Sequence, residues 1–256
     1  MSEIYRFEFP APLVCGILIK RYKRFFVDVR LETGERVVAH CVNTGAMEGI
    51  CHPGLRVWIS PANNPKRKLQ WTLELVERDG ALIGANTSMP NRIVKLGLER
   101  LLLAGFDDWR DLVAEKKFRE NSRIDFWLNN ERGEHFLEVK NCHLVYRDRR
   151  GYFPDSVSAR ASKHLRDLME MVHAGHRATA LFTAQHSLAT TVRPSDAHDP
   201  EFAKTAREAA AAGVDFKTLL IRPTVEALIV EALVDADLAE YPLDEVQLWR
   251  EANKLK

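Results

Sequence analysis

The sequence predicts a two-domain protein of the α+β or α/β class, in which a β-rich N-terminal part precedes a mixed sheet flanked by helices. Short apolar runs separated by turns fill residues 1–85, and helical and buried-strand patterns alternate over residues 86–223. A chain of 256 residues is long enough for two domains. Residues 224–256 mix β-branched and helix-favouring side chains, so the structure of this C-terminal extension stays open.

The N-terminal part has the pattern of about five short strands. They are predicted at residues 13–19, 25–31, 36–42, 55–59 and 69–75. A turn around Thr33-Gly34 joins the second and third strands into a hairpin. This number of short strands within 85 residues fits a small barrel of the OB type, and a β-sandwich fits the same pattern.

The second part alternates helices with strands. Helices are predicted at residues 88–103, 157–173 and 199–213, and strands at 115–119, 123–128, 135–141, 178–182 and 214–221. Asp155 or Ser156 is the expected N-cap of the second helix, and Gly175 its stop. The fully apolar run 178–182 is typical of a buried central strand. Residues 243–254 have the pattern of a terminal helix.

Composition argues against several classes of protein. No run approaches the roughly 18 apolar residues of a membrane helix, and the N-terminus lacks the order of a signal peptide, so we expect a cytoplasmic location without a membrane partner. The four cysteines form no C-x-x-C pair, which argues against a zinc site. Lys and Arg are in excess over residues 1–165, which is consistent with a basic face, although solvated surface charge explains this almost as well. The oligomeric state is not indicated.

The residues that could carry chemistry are Asp125, Glu138 and Lys140. If the intervening turn is centred between residues 131 and 132, Asp125 lies opposite Glu138 on adjacent strands, and Lys140 shares their face. Apolar residues then fill the other face: Ile124, Phe126, Leu128, Leu137 and Val139. Two close carboxylates repel each other unless a proton or a cation lies between them. Mg²⁺ or Mn²⁺ at such a site would suit phosphodiester hydrolysis.

Two alternatives weaken this interpretation. On spacing alone, a cross-strand salt bridge on a solvated hairpin explains the three residues better than a nuclease site, although their apolar flanks favour an interior hairpin. In the following helix, Arg160 and His164 share a face and could stabilise a scissile phosphate, with Lys163 beside them. A solvated helix face accounts for that pattern equally well.

Basic and aromatic residues mix in the N-terminal part. Phosphate contacts from Lys and Arg, with bases stacked on aromatic rings, are how small barrels bind nucleic acid. Polar loops with chance basic runs explain the pattern equally well. The predicted nucleic-acid-binding residues are Arg21, Tyr22, Lys23, Arg24, Lys66, Arg67, Lys68, Arg123 and Lys163.

Several blocks of the chain resemble the sugar fermentation stimulation protein (SfsA) family over about residues 5–222. The matching blocks are 21–25 (RYKRF), 43–47 (NTGAM), 64–68 (NPKRK), 86–87, 91–92, 122–126 (SRIDF), 138–141 (EVKN), 151–155 (GYFPD) and 163–169. The resemblance implies an OB-like domain at residues 1–85 and a domain at 86–223 similar to the PD-(D/E)XK metal-dependent nucleases. It also implies non-specific DNA binding and a regulatory link to sugar utilisation. We expect DNA as the substrate, with RNA as a further candidate.

By motif position, the resemblance makes Asp125 and Glu138 metal carboxylates and Lys140 the catalytic lysine of a Mg²⁺- or Mn²⁺-dependent nuclease. The chain departs from the family pattern at three places. Leu96 stands where relatives often have a glutamate, which leaves Glu99 as the candidate third ligand. Residues 158–162 keep only Arg160 of the usual segment, and Glu48 replaces a small or basic residue. A DNA-binding regulatory protein without useful turnover therefore remains the alternative.

Overall fold

The computed structural model describes residues 3–119 and 122–254. The strands are β1 (Tyr5–Glu8), β2 (Val14–Tyr22), β3 (Phe26–Leu31), β4 (Arg36–His40), β5 (Arg56–Pro61), β6 (Trp71–Arg78), β7 (Ala81–Gly84), β8 (Asp111–Arg119), β9 (Ser122–Asn130), β10 (Gly133–Cys142), β11 (Arg150–Phe153), β12 (Arg177–Gln185), β13 (Thr191–Pro194), β14 (Asp215–Pro223) and β15 (Ala227–Asp235). The helices are α1 (Met89–Glu99), α2 (Ala159–His173), α3 (Pro200–Ala211) and α4 (Leu243–Lys254).

The N-terminal strands form a closed barrel. Their order is β4-β3-β2-β5-β6-β7, and a parallel pairing of β4 with β6 closes the five strands β2 to β6. Alternate residues of each strand point inward, so Val27, Val29, Val57 and Leu73 are fully buried in its core. This confirms the OB-type barrel and excludes the sandwich.

A seven-stranded mixed sheet with the order β1-β15-β14-β12-β10-β9-β8 forms the second part. Its central strands β10, β12 and β14 are parallel, and the outer pairs are antiparallel. Helix α1 packs on one face together with barrel residues Trp58 and Leu75, and α2 and α3 cover the other face. The predicted helix-flanked mixed sheet is confirmed, and an apolar core joins it to the barrel.

The two ends of the chain depart from the predicted domain boundaries. Strand β1 lies within residues 1–85 but pairs with β15 in the second sheet, and Tyr5 Oη donates to the carbonyl of Ile93 at 3.0 Å. Strand β15 lies in the extension 224–256 but pairs with β14. Residues of β15 are buried in the sheet because their apolar side chains complete its core. Helix α4 has the bounds expected from the sequence.

Two helix boundaries also differ from the prediction. Ser158, rather than Asp155 or Ser156, caps α2, and its side chain accepts a hydrogen bond from the N–H of Ala161. Helix α1 ends at Glu99, short of residue 103, because Leu101 takes a left-handed conformation with φ 55°. Within the described ranges, no helix has both the length and the apolar character needed to cross a membrane.

Candidate active site at strands β9 and β10

The β9–β10 hairpin has the register that the sequence predicted. Its pairs run from Asn130 opposite Gly133 to Phe126 opposite Leu137, which places Asp125 next in line with Glu138. The paired ladder ends there, and Asp125 Oδ2 instead accepts a hydrogen bond from the backbone N–H of Val139 at 2.7 Å. The carboxylate thus lies where the two strands separate.

One part of the predicted face pattern is wrong. Phe126, Leu137 and Val139 belong to the core on the α1 side, as does Leu128, whereas Ile124 belongs to the core under α2 and α3. Strict alternation would place Ile124 with Phe126. The alternation is interrupted at Asp125 because β9 no longer pairs with β10 beyond this point.

Glu138 lies in a buried cluster with a lysine and a histidine. Lys140 Nζ donates to Glu138 Oε1 at 2.6 Å, and His164 Nδ1 contacts the same oxygen. Glu138 is 4% exposed and Lys140 8%. Burial alone would raise the pKa of Glu138, but the positive charge of Lys140 and the contact with His164 outweigh it and hold the pKa below its usual range.

Asp125 has a different environment from Glu138. Asn91 Nδ2, on the first turns of α1, donates to Asp125 Oδ1 at 2.8 Å, while Val139 N–H holds the other oxygen. Burial, reinforced by the negative charge of Glu138, raises the pKa of Asp125 to about 6. Two carboxylates therefore interact electrostatically in a mostly buried site. Asn91 was not predicted to be a site residue, since nothing in its spacing links it to a position 34 residues away.

The basic residues of α2 extend this cluster towards solvent. Arg160 Nε donates to His164 Nε2 at 3.3 Å, which connects an exposed guanidinium to the imidazole that contacts Glu138. Lys163 lies on the same helix and pairs with Asp167 at 2.8 Å. The structure thus brings Asp125, Glu138, Lys140 and His164 together, with Arg160 at their exposed end.

Glu99 does not join the two carboxylates, so its prediction as a metal ligand is wrong. It ends α1, pairs with Lys95 at 3.4 Å and is about half exposed. Eight residues separate it from Asn91, which is about 12 Å along a helix axis. Leu96 packs against the α1-side core. Among the described residues, no group of three or more His, Cys, Asp and Glu side chains is arranged to hold a metal ion.

The donor set at Asp125 and Glu138 nevertheless fits a hard divalent cation. Within the described ranges Glu138 Oε2 accepts no hydrogen bond, and each Asp125 oxygen accepts one, so lone pairs remain on both carboxylates. Mg²⁺ characteristically keeps several waters and takes one or two carboxylates. The two acids, rather than three, are therefore the protein ligands that this arrangement offers.

The predicted nucleic-acid-binding residues of the barrel fall into two groups. Arg21 donates to the carbonyls of Asn43 and Gly45 at 2.9 and 3.0 Å, so its guanidinium supports a loop rather than facing a ligand. Arg67 donates to Thr72 Oγ1 at 3.1 Å. The exposed residues are Lys23, Arg24, Lys66, Lys68 and, on β9, Arg123. Tyr22 stacks on Phe26 with a centroid distance of 5.3 Å.

Known proteins match both domains of the chain. Family models described as "SfsA N-terminal OB domain" and "Sugar fermentation stimulation protein RE domain" match residues 19–85 and 88–227. A sugar fermentation stimulation protein homolog of Maricaulis maris (strain MCS10) is 43% identical over 91% of this chain and 100% of its own. The homolog of Thioalkalivibrio sulfidiphilus (strain HL-EbGR7) is 42% identical over 91% and 98%.

A solved structure shows the same fold. The Pyrococcus furiosus SfsA in complex with Ca²⁺ superposes with a TM-score of 0.82, with 23% sequence identity, over 93% of this chain and 100% of that one. Both family models lie in the expected order along the chain, and they align with the barrel and with the mixed sheet. The chain belongs to the sugar fermentation stimulation protein (SfsA) family.

Proposed function

We propose that this protein is a metal-dependent nuclease that hydrolyses phosphodiester bonds in DNA. The observation that carries the proposal is the buried pair of Glu138 and Lys140 beside the partly buried Asp125, at the point where β9 and β10 separate. A solvated salt bridge, the alternative from the sequence, does not account for it, because Glu138 and Lys140 are almost fully buried. The Ca²⁺ of the Pyrococcus furiosus relative supports a preference of this fold for oxygen-liganded divalent cations.

A divalent cation held by Asp125 and Glu138 would neutralise charge on the phosphate and lower the pKa of the attacking water. The protein's own contribution is orientation. Asn91 and the N–H of Val139 fix both oxygens of Asp125, and Lys140 with His164 fixes Oε1 of Glu138. Preorganised charges in a buried site act on a transition state without having to reorganise.

Lys140 and Arg160 supply positive charge on two sides of the site. An ammonium has three N–H donors, and Lys140 directs one to Glu138, so others can reach the water or a phosphate oxygen. Arg160 lies at the exposed end of the cluster, where a guanidinium can bind a phosphate oxygen as DNA enters. Exposed basic residues of the barrel and of β9 would hold the flanking backbone: Lys23, Arg24, Lys66, Lys68 and Arg123.

Cleavage assays with matched variants test the proposal. Purified protein with Mn²⁺ or Mg²⁺ should degrade DNA. Both EDTA and the substitution Asp125→Ala should abolish this cleavage. Glu99→Ala is the matched control, because it deletes an acid of the same domain that lies at the exposed end of α1. Cleavage by Asp125→Ala at the wild-type rate would refute the proposal. Parallel assays with RNA decide whether RNA is a second substrate.

A second candidate is a DNA-binding regulatory protein without significant turnover. It is favoured by the exposed position of Glu99 and by the absence of a third acid near Asp125 and Glu138 among the described residues. Such a protein retards DNA on a gel, with strong salt dependence, and leaves it intact in the presence of Mn²⁺. A role in sugar utilisation, which the family name suggests, fits either candidate.

A further inference from the structure

The tip of the β2–β3 hairpin has an exposed aromatic ring on a fixed backbone. Phe25 is 46% exposed, while its carbonyl accepts a hydrogen bond from the N–H of Cys41 at 2.8 Å. Behind it, Tyr22 and Phe26 are paired across the hairpin and stack on each other, and Lys20 lies 5.1 Å from the centre of the Tyr22 ring. The ring of Phe25 is therefore exposed at a hairpin tip whose backbone is held by a hydrogen bond to β4's end.

The two residues before Phe25 take an unfavourable conformation. Lys23 and Arg24 have φ of 49° and 64°, in the left-handed region that residues with a Cβ avoid. Tyr22 pairs with Phe26, so the loop has three residues, and Gly or Asn takes left-handed positions in such loops at a lower cost than Lys or Arg. The chain instead places two long, exposed cations there. Strain of this sort at a surface tip is expected where the side chains serve binding rather than folding.

We propose that this hairpin tip binds unpaired bases, and that the substrate of the protein is single-stranded DNA or a single-stranded region of a duplex. The inference rests on the proposed function of the site on β9 and β10. Bases stack on exposed aromatic rings irrespective of sequence, and neighbouring cations hold the backbone. Phe25 supplies the ring, and Lys23 and Arg24 the charge. Bases in an intact duplex are already stacked on each other and do not present a free face to Phe25.

The hairpin is connected to the candidate active site. Arg21, on β2, donates to the loop carbonyls of Asn43 and Gly45, and the N–H of Met47 in that loop donates to Asp155 Oδ2 at 3.1 Å. Asp155 comes just before Ser158, the N-cap of α2, which carries Arg160 and His164. Hydrogen bonds through this loop thus link the base of the hairpin to the segment that leads into α2.

The test is DNA binding measured by fluorescence anisotropy in EDTA, with a labelled oligothymidylate and a blunt duplex as probes. Wild type should prefer the oligothymidylate. Phe25→Leu should weaken its binding by about tenfold, as loss of one base–aromatic stack does, and leave duplex binding unchanged. Phe25→Trp should bind the oligothymidylate as tightly as the wild type. Leu248→Ala removes another exposed apolar side chain, 64% exposed on α4, and should change neither affinity.

A second variant keeps the test valid if Phe25 affects folding. Lys23→Asn with Arg24→Gly should raise the melting temperature, because the strain is relieved, and weaken oligothymidylate binding. Unchanged binding in Phe25→Leu, or an equal loss on the duplex, would overturn the inference while leaving cleavage by the wild type intact. Cleavage by Asp125→Ala at the wild-type rate overturns the proposed function instead, and wild-type protein that binds neither probe in EDTA overturns the inference about the tip.

Discussion

Replacing Lys140 by methionine removes the ammonium group that lies 2.6 Å from Glu138 Oε1, with little change in side-chain volume. Glu138 then remains as a buried carboxylate with His164 as its remaining side-chain partner. Removing one partner of a buried ion pair costs about 3–5 kcal/mol, because an uncompensated charge stays in a medium of low polarity. Since His164 still contacts the carboxylate, we expect the lower end, about 3 kcal/mol.

The free energy of unfolding is measured by urea denaturation in EDTA, where no divalent ion can replace the lost charge. For a chain of this size, about 3 kcal/mol corresponds to a fall in melting temperature of about 6–12 °C. Lys95→Met is the matched control, because Lys95 pairs with Glu99 at 3.4 Å with both side chains about half exposed, and such surface pairs contribute about 0–1 kcal/mol.

A double variant separates lost charge from lost packing. Glu138→Gln with Lys140→Met removes the carboxylate that Lys140→Met leaves without its ammonium, so it should be more stable than Lys140→Met alone. Added Mn²⁺ should raise the melting temperature of Lys140→Met, because the cation supplies positive charge at Glu138. The reasoning is refuted if Lys140→Met is no less stable than Lys95→Met, or if the double variant is no more stable than Lys140→Met alone.

Three further changes test other parts of the fold. Burial, with a smaller contribution from Arg177, lowers the pKa of His135 to about 4, so stability should fall by up to about 1.4 kcal/mol per pH unit as pH drops from 6.5 towards 4. His135→Gln should show a shallower pH dependence of the urea midpoint, and an unchanged slope would contradict this. Gly97→Ala should cost about 1–3 kcal/mol, because the new Cβ would overlap Tyr5 Oη. Tyr5→Phe should cost about 1 kcal/mol by removing the bond to Ile93, and a stability equal to wild type would show that β1 contributes little there.

The sequence was sufficient to predict those parts of the site that depend only on local turn and strand geometry. The pairing of Asp125 with Glu138 follows from turn symmetry and the two-residue period of strands, and the register agrees. The face of Ile124 could not be predicted, because it depends on where β9 leaves β10. Asn91 could not be predicted either, since its contact with Asp125 depends on how α1 crosses the sheet.

The domain boundaries could not be predicted from the sequence, because they depend on pairing between strands that are far apart in the chain. Strands β1 and β15 are about 220 residues apart in the chain, yet they pair with each other, and β15 also pairs with β14 in the seven-stranded sheet. The role of Glu48, an unusual residue for the family, could not be predicted from the sequence and follows from its contacts in the fold. Its carboxylate accepts hydrogen bonds from Tyr146 at 2.8 Å and His198 at 3.0 Å, so it joins the barrel to the second domain.

The orientation of Asp125 depends on the barrel as well as on its own sheet. Glu74, buried on β6, accepts a hydrogen bond from Asn86 Nδ2 at 2.9 Å, and Asn86 Oδ1 accepts one from the N–H of Ser88 at the start of α1. Helix α1 then carries Asn91 to Asp125. A cut between the domains at residue 85 would release α1 from this buried contact. The proposed metal ligand Asp125 is therefore oriented by a helix whose start is held by the barrel, so both domains contribute to the geometry of the proposed site.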